Sequence, residues 1–144
     1  IELIMFVMII GIALAGILLV MNKTTGHSAD ALVRKQALAV AESLLEEIEL
    51  QPFSGVYAGP YTQANRTSFD NVFNYNGFAT SGVFPANGAP TGVPGLGNYN
   101  VSAAVAVLPS AWGTIPAASA VQITVTVTDA AGQVTTATGY RTNY

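Results

Sequence analysis

Four carboxylates fall close together at Glu42, Glu46, Glu47 and Glu49, the residue type that general acid–base catalysis uses when two acids share one site. On a helix they would lie near its C-terminus, where like charges and the macrodipole both disfavour them. A solvated helix face is the plainer reading, and contact with Lys35, Arg34 or Arg66 of a neighbouring molecule is the sharper one. His27 is the only histidine and there is no cysteine. One chain therefore assembles neither a Ser-His-Asp triad nor a His-pair or thiolate metal site. His27 reads as a surface or capping residue. Asp70, Asn71, Asn74 and Asn76 precede Gly77 and supply loop oxygens, but one acid is too few for a calcium site. No catalytic set, cofactor or metal is expected, and the chain does not read as an enzyme.

The carboxylate that stands apart is Glu2. It is the only charge among residues 1–21, at the head of an unbroken apolar run from Leu3 to Met21. At 1.5 Å per residue a helix of about 19 residues covers roughly the 30 Å hydrocarbon core of a bilayer. An acid at mid-membrane costs on the order of 2.5–3.5 kcal/mol, and less near the end. Glu2 therefore needs a partner or a function. A plain single-pass anchor with a carboxylate snorkelling to the membrane edge is the simpler alternative. No small-x-small cleavage pattern follows at Asn22-Lys23-Thr24-Thr25, so the run is expected to be retained.

The order Ile1-Glu2-Leu3-Ile4, the apolar residues that follow and Gly11 resemble the N-terminal helix of type IV pilins and type II secretion pseudopilins. Glu2 matches the glutamate found a few residues into the mature chain, and Gly11 a glycine common in that helix. The resemblance covers about the first 25 residues. Residues 34–48 show a weaker similarity to minor pilins of the mannose-sensitive haemagglutinin pilus and PilV-like groups. The resemblance implies a subunit cut by a prepilin peptidase, methylated at its new amine and held in the inner membrane. Pilus assembly machinery then polymerises it with copies of itself into an extracellular filament. It also implies about three natural residues and a basic leader before Ile1. Leu19 stands where the family commonly has a proline. In such an assembly the natural partner of Glu2 is the N-terminal amine of a neighbouring subunit, since no other cation lies nearby. Leu3, Ile4, Gly11 and Gly16 become helix-core positions, the two glycines as points of close packing or flexibility.

The charge balance fits a surface of low polarity contrast. The 144 residues are 51% hydrophobic and only 9% charged, with a net charge of −3. Beyond residue 51 the ionised side chains are Arg66, Asp70, Asp129 and Arg141, which cancel. A nucleic-acid module needs a basic stripe, and none exists. A neutral surface rich in Thr, Asn, Ser and Gly suits packing against copies of the chain or a glycan coat. Asn65-Arg66-Thr67 and Asn100-Val101-Ser102 fit glycan acceptor patterns, which chance also supplies in such a composition.

Three kinds of element must position these residues. After polar Asn22–Gly26, a helix start is expected at Ser28-Ala29-Asp30. Val33, Ala37, Val40, Ala41, Leu44, Leu45 and Ile48 then recur on one face, with Leu38 at its margin. Pro52 ends the helix near Leu50. Residues 52–98, rich in Gly, Asn and Pro, read as a long loop that its aromatics pack down and that neighbouring subunits cover. Alternating residues predict antiparallel strands over 99–108, 120–128 and 133–141, the last two joined by a turn at Asp129-Ala130-Ala131-Gly132. The expected fold is α+β and pilin-like. A helix over 1–51 (1–24 for membrane or filament core, 25–51 amphipathic) packs on a head over 52–144, whose sheet spans 99–144. Its expected function is that of a structural filament subunit. Rival readings are a minor pilin or pseudopilin that primes or caps a filament, and a membrane-anchored adhesin domain that never polymerises.

Overall fold

The computed structural model describes residues 1–143, without the side chains of 24–29. It is α+β. Helix α1 runs over Glu2–Glu49, and strands β1 (Ala79–Ser81), β2 (Asn100–Val107), β3 (Ala120–Thr128) and β4 (Val134–Thr142) follow. They form one antiparallel sheet in the order β1-β2-β3-β4. The three expected strands fall within two residues of their predicted bounds, and β1 is an addition from inside the long loop.

Two compact units divide the chain, Ile1–Lys35 and Gln36–Tyr144. The boundary between these units lies within the amphipathic stretch. The reason is burial: Ala37, Ala41, Leu44 and Ile48 are all core residues, so residues 36–49 are part of the head. Helical backbone is continuous from Glu2 to Glu49, with no separate start at Ser28-Ala29-Asp30. The side chains of His27 and Ser28 lie outside the described residues.

Strand alternation builds the rest of the core. Val101, Ala103 and Val105 of β2 oppose Val127, Val125 and Ile123 of β3, and Ala137 and Gly139 of β4 continue the layer. These residues are buried while their neighbours face outward, as the two-residue period of a strand requires. Helix and sheet come close at Gly139. A Cβ there would lie 3.1 Å from Leu45 Cδ1 and collide with the Glu49 carboxylate, so a residue without a side chain suits the crossing. The end of the helix is also tied to β4, where Arg141 Nε donates to the Gln51 carbonyl at 3.2 Å.

The segment 52–98 contributes to the core of its own chain. Short 3-10 turns at Gln63–Ser68 and Val72–Tyr75 turn Phe69, Val72, Tyr75 and Phe78 inward, and all four are buried. Phe69 meets Tyr75 and Phe78 edge to face, with centroids 4.9 and 5.8 Å apart. Residues 69–78 are thus ordered by burial within the chain. The exposed residues, such as Asn87, Gly95, Gly97 and Asn98, remain available to other surfaces. At the expected hairpin Asp129 Oδ1 accepts from the backbone of Ala131 and Gln133 at 2.8 and 2.9 Å. Gly132 supplies the positive φ of +78° that closes the turn.

Candidate assembly helix and the lock in the head

The span Glu2–Lys23 is 22 residues long, long and apolar enough to cross a membrane, and none of it is buried. Leu3 is 76% exposed, Ile4 66% and Leu18 65%. Burying a large apolar side chain is worth about 1.5–3 kcal/mol. A stretch of such residues left in water would be strongly unfavourable, so this surface suits an apolar environment such as a bilayer. Leucine, isoleucine, methionine and alanine favour the helix itself. Glu2 is exposed, and among the described residues it makes no ion pair.

Gly11 and Gly16 both lie in helical backbone, and a Cβ at either would meet nothing within 4 Å. At about 100° per residue they project about 140° apart, so they form two notches and not one face. The residue four positions after Gly11 is Ala15. It shares the face of Gly11 and completes a small-xxx-small pair of the kind that lets helices approach closely. Reading the sequence for glycine alone passes over it; reading for small residues finds it.

The glutamate cluster does not act as a unit. Glu42 and Glu46 are exposed, whereas Glu47 is half-buried and bound within its own chain. Arg66 Nε donates to Glu47 Oε1 at 2.8 Å and Nη2 to Oε2 at 2.5 Å. The Tyr75 hydroxyl donates to the same Oε1 at 2.7 Å. Arg66 also donates to the Phe84 carbonyl at 3.2 Å and stacks over the Phe78 ring at 5.4 Å. Burial, then the hydrogen bond to the Glu47 carboxylate, push the Tyr75 hydroxyl far above its ordinary pKa. Among the described residues no buried side-chain polar atom lacks a hydrogen-bond partner. This group is a fastener between helix and loop.

Asp70 has a comparable part. Its Oδ2 accepts from the backbone of Val56 and Tyr57 at 2.7 and 3.0 Å, and Asn71 Nδ2 donates to Oδ1 at 2.8 Å. These bonds, that from Val56 foremost, hold its carboxyl below the ordinary aspartate value. Asn71 and Asn74 cap the turn at Val72–Tyr75 reciprocally. Asp70 Oδ2 is therefore spent on backbone amides and its Oδ1 on the Asn71 side chain. Asn65 Oδ1 accepts from the Thr62 hydroxyl at 2.8 Å, while Asn100 is exposed at the start of β2.

A cavity of about 370 Å³ opens between the helix and the loop, lined mainly by Val40, Leu44, Phe78, Val83, Phe84 and Leu96. Its walls are apolar and its one charge, Arg66, is already paired. Comparison with protein families, with characterised proteins and with solved structures finds no match to this chain.

Proposed function

We propose that this chain is a structural subunit of a bacterial type IV pilus-like filament, polymerising through its N-terminal helix. The observation that carries the reading is the pairing of two properties in one chain. Glu2–Lys23 is apolar with no part of it buried, while Gln36–Tyr144 closes a core of its own. The buried apolar core residues all lie at Ala37 or beyond, which leaves the exposed apolar helix to serve something outside the chain. A bilayer satisfies it before assembly, and copies of the same helix satisfy it afterwards.

Glu2 gives the assembly its register. Removed from water, an isolated carboxylate is costly unless it is paired. In a filament of identical helices the available cation is the N-terminal amine of a neighbouring subunit. Gly11 and Ala15 allow the close approach such a core needs. The precursor is held in the inner membrane, processed by a prepilin peptidase and delivered by assembly machinery to the cell surface. Mechanical shearing of cells tests the reading. Recovery of the chain in the sedimented fibre fraction supports it, and retention of all of it in the membrane fraction would favour an anchored domain that never polymerises.

A further inference from the structure

The chain's only tryptophan is not in the core. Trp112 is 54% exposed and Tyr140 46%, and their rings lie side by side, centroids 5.2 Å apart and tilted by 54°. A large aromatic left half in water forgoes much of the stabilisation its burial would give. Both rings are nevertheless held in place. Trp112 and Ile115 exchange backbone hydrogen bonds at 2.9 and 3.1 Å, around Gly113 at φ +61°. Gln122 Nε2 donates to the Tyr140 hydroxyl oxygen at 3.2 Å, leaving that hydroxyl's proton free to point outward.

The rings stand at one end of the sheet face turned away from the core. Register places Gln122 opposite Tyr140, Thr124 opposite Thr138 and Thr126 opposite Thr136. Their side chains share that face because buried Ile123, Val125, Ala137 and Gly139 occupy the other. The surface is therefore two exposed rings followed by rows of hydroxyls. It also lacks charge. From residue 99 onward the only Asp, Glu, Lys or Arg residues are Asp129 and Arg141. Asp129 is buried in its turn, and Arg141 is directed to the Gln51 carbonyl.

We propose that this face binds a neutral carbohydrate chain. The apolar C–H face of a sugar ring stacks on Trp112 and Tyr140, and its hydroxyls exchange hydrogen bonds with Gln122, the Tyr140 hydroxyl and the threonines. Neutral, hydroxyl-rich ligands match the face in charge. A nucleic acid would also stack on the rings, but its phosphates need cations that are missing here. A stable protein interface needs an apolar centre within about 800 Å² per partner, and beyond the two rings and Val134 at the far end of β4 this face offers small and hydroxyl side chains. Preformed ring positions keep the ordering cost of binding low. The inference stands apart from the filament proposal, because binding would occur in a single subunit.

The test uses the full chain in lauryldimethylamine oxide micelles, a detergent without a sugar headgroup. Trp112 emission is followed during titration with cellohexaose, maltohexaose and chitohexaose, and with polygalacturonate as an anionic control. The expected result is a saturable blue shift with at least one of the neutral hexasaccharides. Tyr140→Ala and Gln122→Ala should each weaken apparent affinity by about tenfold, with far-UV circular dichroism unchanged. Tyr140→Phe, which keeps the stacking ring, should stay within about threefold. Gln122→Ala removes no ring and reads the site even if Tyr140→Ala fails to fold. No saturable shift with any neutral probe would overturn the proposal. So would a shift undiminished in folded Tyr140→Ala and Gln122→Ala, or one produced by polygalacturonate alone.

Discussion

Glu47 and Arg66, from the last turns of the helix and the loop that follows it, meet in a two-pronged ion pair closed by contacts of 2.8 and 2.5 Å. The arginine side chain is only 8% exposed and the glutamate 21%. Removing one member of a buried pair leaves the other charge uncompensated, which costs about 3–5 kcal/mol. Because Glu47 keeps some access to water, Arg66→Ala should cost about 3 kcal/mol, the lower end of that range. Glu47→Leu combined with Arg66→Met should be milder than Arg66→Ala alone, since no charge is then stranded. Urea unfolding of the two variants, followed by circular dichroism, checks the order.

Asp70 ties residues 55–57 to the turn beneath them, and Gly55 makes the approach possible. A Cβ on Gly55 would collide with the Asp70 carboxylate, so Gly55→Ala must displace the carboxylate from the Val56 and Tyr57 amides. The folded carboxyl titrates below its ordinary 3.8. Its stabilisation is therefore present above that value and is lost as pH falls from there through the lower folded pKa. Acid titration of thermal stability should show a loss beginning near pH 4 that is reduced in Asp70→Asn and in Gly55→Ala.

Tyr75 works in the opposite direction. Its folded pKa is raised above the ordinary 10, so its contribution is intact below pH 10. As pH rises further the unfolded chain releases the phenolic proton while the folded chain keeps it, and stability declines. Tyr75→Phe should remove this part of the alkaline decline while losing the bond to Glu47, worth about 1–2 kcal/mol at neutral pH. Thermal melts between pH 8 and 11 would separate the two effects.

Much of this architecture is legible in the sequence because periodicity reports burial. The alternation Val121, Ile123, Val125 and Val127 places β3, and the stripe Ala37, Ala41, Leu44 and Ile48 places the buried side of the helix. What periodicity does not report is which loop residues meet a given helix position. Glu47 looks like its neighbours Glu46 and Glu49, and its burial depends on Arg66 and Tyr75 arriving from 19 and 28 positions away. The loop's aromatics are expected to pack down, but the same limit hides which of them turn inward, since short 3-10 turns carry no extended repeat. Trp112 beside Tyr140 is invisible for a related reason, because a nine-residue strand and an irregular loop must both be placed before the rings meet.

At the other end of the chain, Glu2→Gln should leave the protein in the membrane yet reduce sheared fibre sharply. An amide is easier to bury than a carboxylate but cannot form an ion pair with a neighbouring amine. Quantitative immunodetection of membrane and sheared fractions measures both sides. Fibre at the unsubstituted level would remove the ion-pair role of Glu2 while leaving polymerisation through the helix intact.

The most direct test of the central claim is helical reconstruction, by electron cryo-microscopy, of fibres sheared from cells that make this chain. The account predicts a fibre in which this chain repeats, with residues 1–21 of neighbouring copies packed at the axis and the α+β heads outside. It also predicts Glu2 within ion-pair distance of an adjacent subunit's amine, and a local departure from α-helical hydrogen bonding within 11–20, where two glycines weaken the helix by about 1 kcal/mol each. Continuous helix from Leu3 to Met21 would remove that last detail alone. Fibres that lack the chain, or that carry it only as a peripheral decoration with its apolar helix outside the axis, would contradict the account.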